Sequence, residues 1–437
     1  MTKILFLVPK CIGPSQNSKW NTDFSKELEM RVTKTLWKVV TLGPLVLASQ
    51  AIEAGEEVDY VDEEYGEVQL NTKYDIVAMY LVTPNARKGY QWAEYFRKIG
   101  SYIVMGGVHA TVCFSETKTY ADTVLLGEGE DIWKNFFSDY KNNNPKKIYR
   151  QQIGCLDVNT SPIPAYHLIA QNARAIIPVQ TARGCPHGCR FCNVRNIYGL
   201  NYRYKDEQKV IQEIECALSC NPKAKIYFTD DNFFCDCERT KKLLNYLEKF
   251  EIQWIANADI SFGSDIEMIK SAYKSGCRQV LIGFESVNAN NLAHIDVHNF
   301  KYNHCNDYPQ VISNIQCYGI GVIGSFIIGL DNDDSSVFIK TEEFIYKNKL
   351  FGANITVNTP YPGTSSFYNL KRQNRIRTYD WNQYTIFQPV ITPKRMTYEE
   401  LCRGYVKLIK SIHSDKRNIE VIMHFKEIIK SLRGTNP

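Results

Sequence analysis

Three cysteines in one short run, Cys185, Cys189 and Cys192, are the residues of this chain best placed to do chemistry. They lie in Gly184-Cys185-Pro186-His187-Gly188-Cys189-Arg190-Phe191-Cys192, a C-x3-C-x2-C spacing. Three thiolates from one loop can hold three irons of a [4Fe-4S] cluster and leave the fourth iron open for chemistry. A structural zinc site would want a fourth Cys or His at short range, commonly as a second C-x2-C pair. His187 sits inside the loop between committed neighbours, and Cys216/Cys220 and Cys235/Cys237 are separated from it by predicted elements. A disulfide framework is disfavoured, because the N-terminus does not read as a secretory signal. The spacing therefore favours a cluster with one open corner.

The loop must be delivered by regular structure. Ile176-Ile177-Pro178-Val179-Gln180 reads as a strand feeding directly into it. Helix 207–220 follows, then strand Lys225–Phe228 ending in Thr229-Asp230-Asp231-Asn232. Helices at 238–250, 265–275 and about 308–318 alternate with strands ending at Asn257, at Glu285-Ser286 and at Gly329, and a further strand covers 354–358. Six strand–helix units predict a barrel or partial barrel whose polar strand ends share one mouth. At that mouth stand Asp230, Asp231 and Asn232, then Asn257 and Asp259, then Glu285 and Ser286. Asp236 and Asp265 read as helix caps instead.

The first 150 residues alternate differently. Apolar runs at 4–9, 58–61, 74–82, 102–105 and 123–126 are separated by helical stretches, which predicts a doubly wound, flavodoxin-like parallel sheet. A long polar excursion follows the first strand. Ligands gather at the carboxyl ends of such strands, here Val82-Thr83, Gly106-Gly107-Val108-His109 and Gly127-Glu128. The adjacent glycines admit a flat ligand close to the backbone, and the absence of G-x-G-x-x-G disfavours a dinucleotide. Breakers at 142–145 and 161–164 mark a linker. The predicted division is a ligand domain over 1–145, a linker over 146–174, a partial barrel over 175–372 and a helical extension over 373–437.

Composition narrows the setting. Of 437 residues, 44% are apolar and 23% charged, and the formal net charge is +5, values ordinary for a globular protein. No apolar run approaches the length of a membrane span. Basic residues near the C-terminus are mixed with acidic ones, which reads as a solvated helix face and not a nucleic-acid site. Fourteen cysteines without an export signal point to a reducing cytoplasm.

Taken together, these motifs resemble the radical S-adenosylmethionine (SAM) enzymes that carry an N-terminal cobalamin-binding domain. The resemblance rests on C-x3-C-x2-C with Phe191 before the third cysteine, on Thr229-Asp230-Asp231-Asn232-Phe233, Gly283-Phe284-Glu285-Ser286, Phe326-Ile327-Ile328-Gly329 and Thr359-Pro360-Tyr361-Pro362-Gly363-Thr364, and on Gly106-Gly107-Val108-His109 and Gly127-Glu128-Gly129-Glu130. It implies that the open iron chelates SAM and that reductive cleavage gives a 5′-deoxyadenosyl radical. It further implies that Asp230 and its neighbours Asp231 and Asn232 contact the SAM amino group, Glu285 and Ser286 the ribose, and Ile327 to Gly329 the adenine. Cobalamin would lie near Thr83, Gly106, Gly107, His109, Gly127 and Glu128. The chain lacks Asp-x-His-x-x-Gly, so cobalamin would bind base-off without a protein ligand to cobalt. The likeness is greatest to hopanoid methylases and the anaerobic porphyrin-ring cyclase. It implies a cobalamin-dependent methyltransferase acting on an unactivated carbon of a small-molecule, lipid or tetrapyrrole substrate, or else a non-methylating cyclase, oxidase or rearrangement enzyme. An electron donor such as flavodoxin or ferredoxin would serve either. The segment Asp380-Trp381-Asn382-Gln383-Tyr384 and the helix from Tyr398 to His413 match that subgroup's extension and would cap the barrel mouth.

Overall fold

A computed structural model describes residues 1–11, 13, 28–29, 39–172 and 175–434. Most of the polar excursion after the first strand lies outside the described residues.

Six strands build the first sheet: β1 (Lys3–Val8), β2 (Glu57–Asp62), β3 (Ile76–Tyr80), β4 (Tyr102–Gly106), β5 (Thr123–Leu126) and β6 (Ile148–Arg150). All pair in parallel in the order β2-β1-β3-β4-β5-β6, the flavodoxin-like order with one strand added. Alternation explains the continuous apolar runs. Leu5 and Leu7 pack on one face with Val77, Met79, Ile103 and Met105, while Ile4 and Phe6 pack on the other with Ala48, Val104, Leu125 and Trp133. A parallel sheet covered on both faces needs apolar residues at every position. The strand β6 falls in the segment read as a linker, where it pairs Val124 with Ile148.

The second sheet is also wholly parallel. It comprises β7 (Ile176–Val179) and, after the short antiparallel pair β8 (Ala182–Arg183) and β9 (Arg203–Tyr204), the strands β10 (Lys225–Phe228), β11 (Trp254–Ala258), β12 (Cys277–Glu285), β13 (Gly321–Ile328) and β14 (Gly352–Val357). Their order is β14-β13-β12-β11-β10-β7, the six-stranded partial barrel that the pattern predicts. Helices Glu207–Cys220, Cys237–Leu247, Ile266–Lys274, Tyr308–Cys317 and Val337–Lys347 connect the strands and share the largest apolar core with them. Asp236 and Asp265 cap two of these helices, accepting from the N–H groups of Arg239 and Met268, as read from sequence. Among the described residues no helix is long and apolar enough to cross a membrane.

The C-terminal extension departs from expectation. Helix Tyr398–Ile412 packs on the side of the barrel, against helix Val337–Lys347 and β14, and Tyr405 donates to the Ile355 carbonyl. At its start Leu401 packs against Gly329, at the end of β13. The segment before it also reaches the mouth, where Val357 N–H donates to the Ile386 carbonyl and Tyr361 Oη to the Tyr384 carbonyl. Its strong amphipathicity fits lateral packing, since one apolar stripe meets the barrel and the rest meets water.

Candidate active site

The strand β7 ends at Val179, and the β8–β9 pair then clasps the two ends of the cysteine loop, Ala182 opposite Tyr204 and Arg183 opposite Arg203. Gly184 turns the chain at φ +95°, and a Cβ there would lie 2.2 Å from the Asn201 carbonyl oxygen, so only glycine fits. Two backbone bonds lash the loop to the segment after β12: Val297 N–H to the His187 carbonyl (3.0 Å) and Arg190 N–H to the Ile295 carbonyl (2.9 Å). His187 Nε2 lies 2.7 Å from Asp259 Oδ2, which also accepts from Asn232 Nδ2 at 2.8 Å. Asn232 and Asp259 thus brace the loop from below.

The three thiols are largely shielded from water, and burial pushes Cys185 up to about 11 and Cys192 to about 12, with Cys189 raised too. Among the described residues no three His, Cys, Asp or Glu side chains close on one point as a single ion requires. A thiol set in one loop, protonated until metal displaces the protons, suits iron–sulfur ligation. Beside it, Lys301 Nζ lies 3.1 Å from Glu285 Oε1 and donates to the Gly283 carbonyl. Its ammonium eases deprotonation of Cys189 and Cys185. Glu285 sits at φ +64°, where the β12–β13 register shifts. That unusual conformation at a strand end re-aims its carboxylate.

A cavity of about 430 Å³ opens here, lined by Cys192, Phe191, Asn193, Glu285, Ser325, Ile327, Thr356 and Asn358 from the barrel, by Val82, Thr83, Pro84 and Val108 from the first sheet, and by Ile386. A second cavity, about 380 Å³, lies at the carboxyl edge of the first sheet. Gly106, Gly107, Gly127, Glu128 and Asp231 border it, with Phe6, Val46, Ala78, Val104, Leu125 and Trp133 as its apolar floor. Val108 borders both cavities. Gly107 holds the turn between them at φ +97°, where a Cβ would lie 2.7 Å from the Leu81 carbonyl oxygen.

Several residues chosen from sequence face elsewhere. Asp230 is fully buried and turned inward, accepting from Thr181 N–H at 2.6 Å and from Thr181 Oγ1. It is a brace for the strand leading to the cysteine loop. Asp231 instead borders the second cavity, accepts from Gly184 N–H at 3.1 Å, and is pushed up to about 7 by burial. Ser286 Oγ accepts from Asn288 N–H and lies 3.3 Å from Asn291 Nδ2. Gly329 N–H donates to Asp333; neither Ser286 nor Gly329 lines either of these two cavities. His109 is completely buried, with Nε2 3.1 Å from Tyr90 Oη and Nδ1 3.2 Å from Thr83 Oγ1. Burial drops its pKa to about 4, so it is a neutral support for Thr83.

Residues 179–345 match the Radical SAM superfamily. Bacteriochlorophyllide d C-12(1)-methyltransferase of Chlorobaculum tepidum is 30% identical over 82% of this chain and 79% of its own length. The chain belongs to the radical SAM superfamily. Hopanoid C-2 methylase of Rhodopseudomonas palustris is 27% identical over 51% of this chain and 42% of its own. Among solved structures, the radical SAM methyltransferase TsrM from Kitasatospora setae superposes with TM-score 0.65 over 86% of this chain and 79% of its own, at 14% identity. OxsB superposes with TM-score 0.64 over 94% of this chain and 61% of its own, at 13% identity.

In this radical SAM enzyme one residue that sequence reasoning passed over ties the two sheets together. Arg183, two residues before Cys185, is buried and reaches Glu128 Oε1 at 2.9 Å and Glu130 Oε1 at 2.6 Å. Arg203 joins Glu128 Oε2 at 3.0 Å, and Ser161 Oγ donates to Glu130 at 2.8 Å. Glu128 therefore spends its carboxylate on the radical SAM loop's anchor, and its place beside the cavity is a wall. The available signal was two carboxylates in Gly127-Glu128-Gly129-Glu130 and one arginine abutting the cysteine motif, charges that demand partners once buried. Lys301 had no such signal, because it lies in a one-turn helix, Phe300–Asn303, too short to show a period.

Proposed function

We propose that this radical SAM enzyme is a cobalamin-dependent methyltransferase acting on an unactivated carbon of a largely apolar substrate, of lipid or tetrapyrrole type. The observation that carries this reading is that Val108 walls two cavities, one beside the cysteine loop and one at the edge of the first sheet. The methyltransferase relatives and the cobalamin bound in the TsrM and OxsB structures support it.

The residues present fit the groups implied. Bare backbone at Gly106 and Gly107, beside an apolar slot floored by Phe6, Val104 and Trp133, suits a flat, bulky ring system and its tail. His109 has both ring nitrogens engaged, which agrees with base-off binding without a histidine on cobalt. Cys185, Cys189 and Cys192 would hold the cluster. When bound, the cluster and SAM supply a 5′-deoxyadenosyl radical, and cobalamin supplies the methyl group. The protein's own work is orientation and exclusion of water. Glu285, aimed by its backbone conformation and held by Lys301, offers a fixed acceptor to SAM hydroxyl or ammonium groups. Phe191, Ile327, Val357 and Ile386 wall the cavity with apolar surface, which keeps stray hydrogen donors away from a radical.

Anaerobic incubation of cluster-loaded protein with SAM, cobalamin, a chemical reductant and a bacteriochlorophyllide should give S-adenosylhomocysteine, 5′-deoxyadenosine and methylated pigment. 5′-Deoxyadenosine without S-adenosylhomocysteine, across pigment and hopanoid substrates, would overturn methyl transfer. A non-methylating reaction would then be favoured, as the 26% identity to the anaerobic magnesium-protoporphyrin IX monomethyl ester cyclase of Cereibacter sphaeroides allows.

A further inference from the structure

The last helix, Asp415–Gly434, is held to the barrel along one side. Buried Arg417 donates to the Leu350 carbonyl at 2.7 Å, and buried Phe425 meets Phe351 edge-on with ring centroids 4.9 Å apart. Leu432 lies over Gly319, where a Cβ would meet its Cδ1 at 3.1 Å. Val421 and Ile428, both half-buried, complete this stripe at the helical period. Gly319 precedes β13, and Leu350 and Phe351 precede β14. The helix therefore sits at the amino ends of the strands, the opposite end of the barrel from the cysteine loop.

The opposite stripe is apolar as well. Ile419, Ile422 and Met423 are 58%, 52% and 58% exposed, at spacings of three and four that set them on one face. Among the described residues no other helix or strand exposes three large apolar side chains. Such a patch marks an interaction site. Lys416, Glu420, Lys426, Glu427 and Lys430 surround it, all exposed. Their mixed signs do not suit an anionic membrane surface, which calls for an excess of cations on the polar face. They suit a second copy of the same helix, run antiparallel. Lys416 and Glu427 leave the helix roughly 20° apart, at about 100° per residue, on one flank of the patch. They stand on either side of Ile422 by nearly equal steps. A two-fold axis near Ile422 thus sets Lys416 of one copy against Glu427 of the other, twice, as flanking charges do beside a coiled-coil seam. The same axis brings Ile419, Ile422 and Met423 of both copies together and puts Lys430 level with Asp415. A parallel pairing would face each charge with its own like.

We propose that the outer face of helix Asp415–Gly434 binds a second copy of this chain, as an antiparallel two-fold helix pair centred near Ile422. One helix from each copy makes a small interface, so the dimer forms and dissolves with concentration. Because the helix lies at the amino ends of the strands, both barrel mouths stay open and each copy keeps a complete site.

The test is anaerobic sedimentation velocity of the cluster-loaded, cobalamin-supplied protein over about a hundredfold range of concentration. The wild type should pass from monomer to dimer as concentration rises, and Met423→Glu should stay monomeric throughout. Lys416→Glu and Glu427→Lys, each alone, should weaken dimerisation about tenfold at low salt. An equimolar mixture of those two variants should recover it, since each copy then supplies the sign that the other lacks. All three variants should keep the wild-type unfolding temperature and dithionite-driven SAM cleavage. A wild type that is monomeric at every concentration would overturn the proposal, and its flotation with phosphatidylserine-containing vesicles would assign the face to a membrane instead. A dimer that Met423→Glu leaves intact, or a mixture no tighter than either variant alone, would overturn it as well.

Discussion

Arg183→Met should separate the clamp from the rest of the fold. The guanidinium faces two buried carboxylates, at 2.9 and 2.6 Å. Removing one partner of a buried ion pair typically costs about 3–5 kcal/mol, roughly two to four powers of ten in the folded-to-unfolded ratio. Burial alone would raise the pKa of Glu130, but Arg183 and Ser161 outweigh it and hold the carboxyl below its ordinary value. A depressed carboxylate stabilises the fold above its unfolded pKa, and that contribution fades as pH falls. Without Arg183, burial still disfavours the charged carboxylate and the sign reverses, so the variant should recover stability as acid protonates Glu130 while the wild type loses it. Urea unfolding at pH 4 and pH 8, together with iron retained after a chelator challenge, reads both effects. The double variant Glu130→Gln, Arg183→Met, which leaves Glu128 paired with Arg203, should regain most of the loss, since replacing both partners of a buried ion pair is close to neutral. Equal midpoints for wild type and Arg183→Met at both pH values, or a double variant no better than the single one, would refute the reasoning.

Cys185→Ala should lose cluster iron and SAM cleavage, whereas Cys216→Ala, on helix Glu207–Cys220, should keep wild-type iron by colorimetric assay. In Asp259, burial is outweighed by the bonds from His187 and Ser261, which hold the carboxyl at about 2. That group supplies roughly 2–3 kcal/mol above its unfolded pKa, lost between about pH 4 and pH 2; Asp259→Asn should trail the wild type in urea stability at pH 7 and meet it near pH 2. Gly107→Ala, at φ +97° and 2.7 Å from a carbonyl oxygen, should cost about 2 kcal/mol or more by thermal unfolding. Gly106→Ala, whose Cβ meets ordinary contacts at 3.6 Å, should unfold near the wild-type temperature.

The strands were legible because their burial is two-sided: Ile4-Leu5-Phe6-Leu7 sends alternate residues to different cores, and no polar position interrupts the run. The strand β6 was not, since Tyr149 alone among its three residues is buried. At the barrel mouth the cysteine loop was legible from spacing. The direction of each carboxylate was not. Asp230 and Asp231 are adjacent and chemically identical, yet successive side chains leave a strand end on opposite sides. Which one turns inward depends on Thr181, 49 residues away in sequence. Glu285 was read as a pocket residue and does line the cavity, but its partner Lys301 belongs to a stretch without periodicity.

The return of the chain to its beginning has a practical consequence for building hybrids. Phe367, Leu370, Trp381, Tyr384, Val390 and Ile391 lie in the same apolar cluster as Leu5, Leu7 and Met79, and the Trp381 indole donates to Glu116. A graft of residues 1–145 alone into another scaffold would arrive with part of its own interior left behind. Chimeras that exchange this module should therefore carry the segment 367–391 with it and leave the barrel and the helices packed on its side to the host.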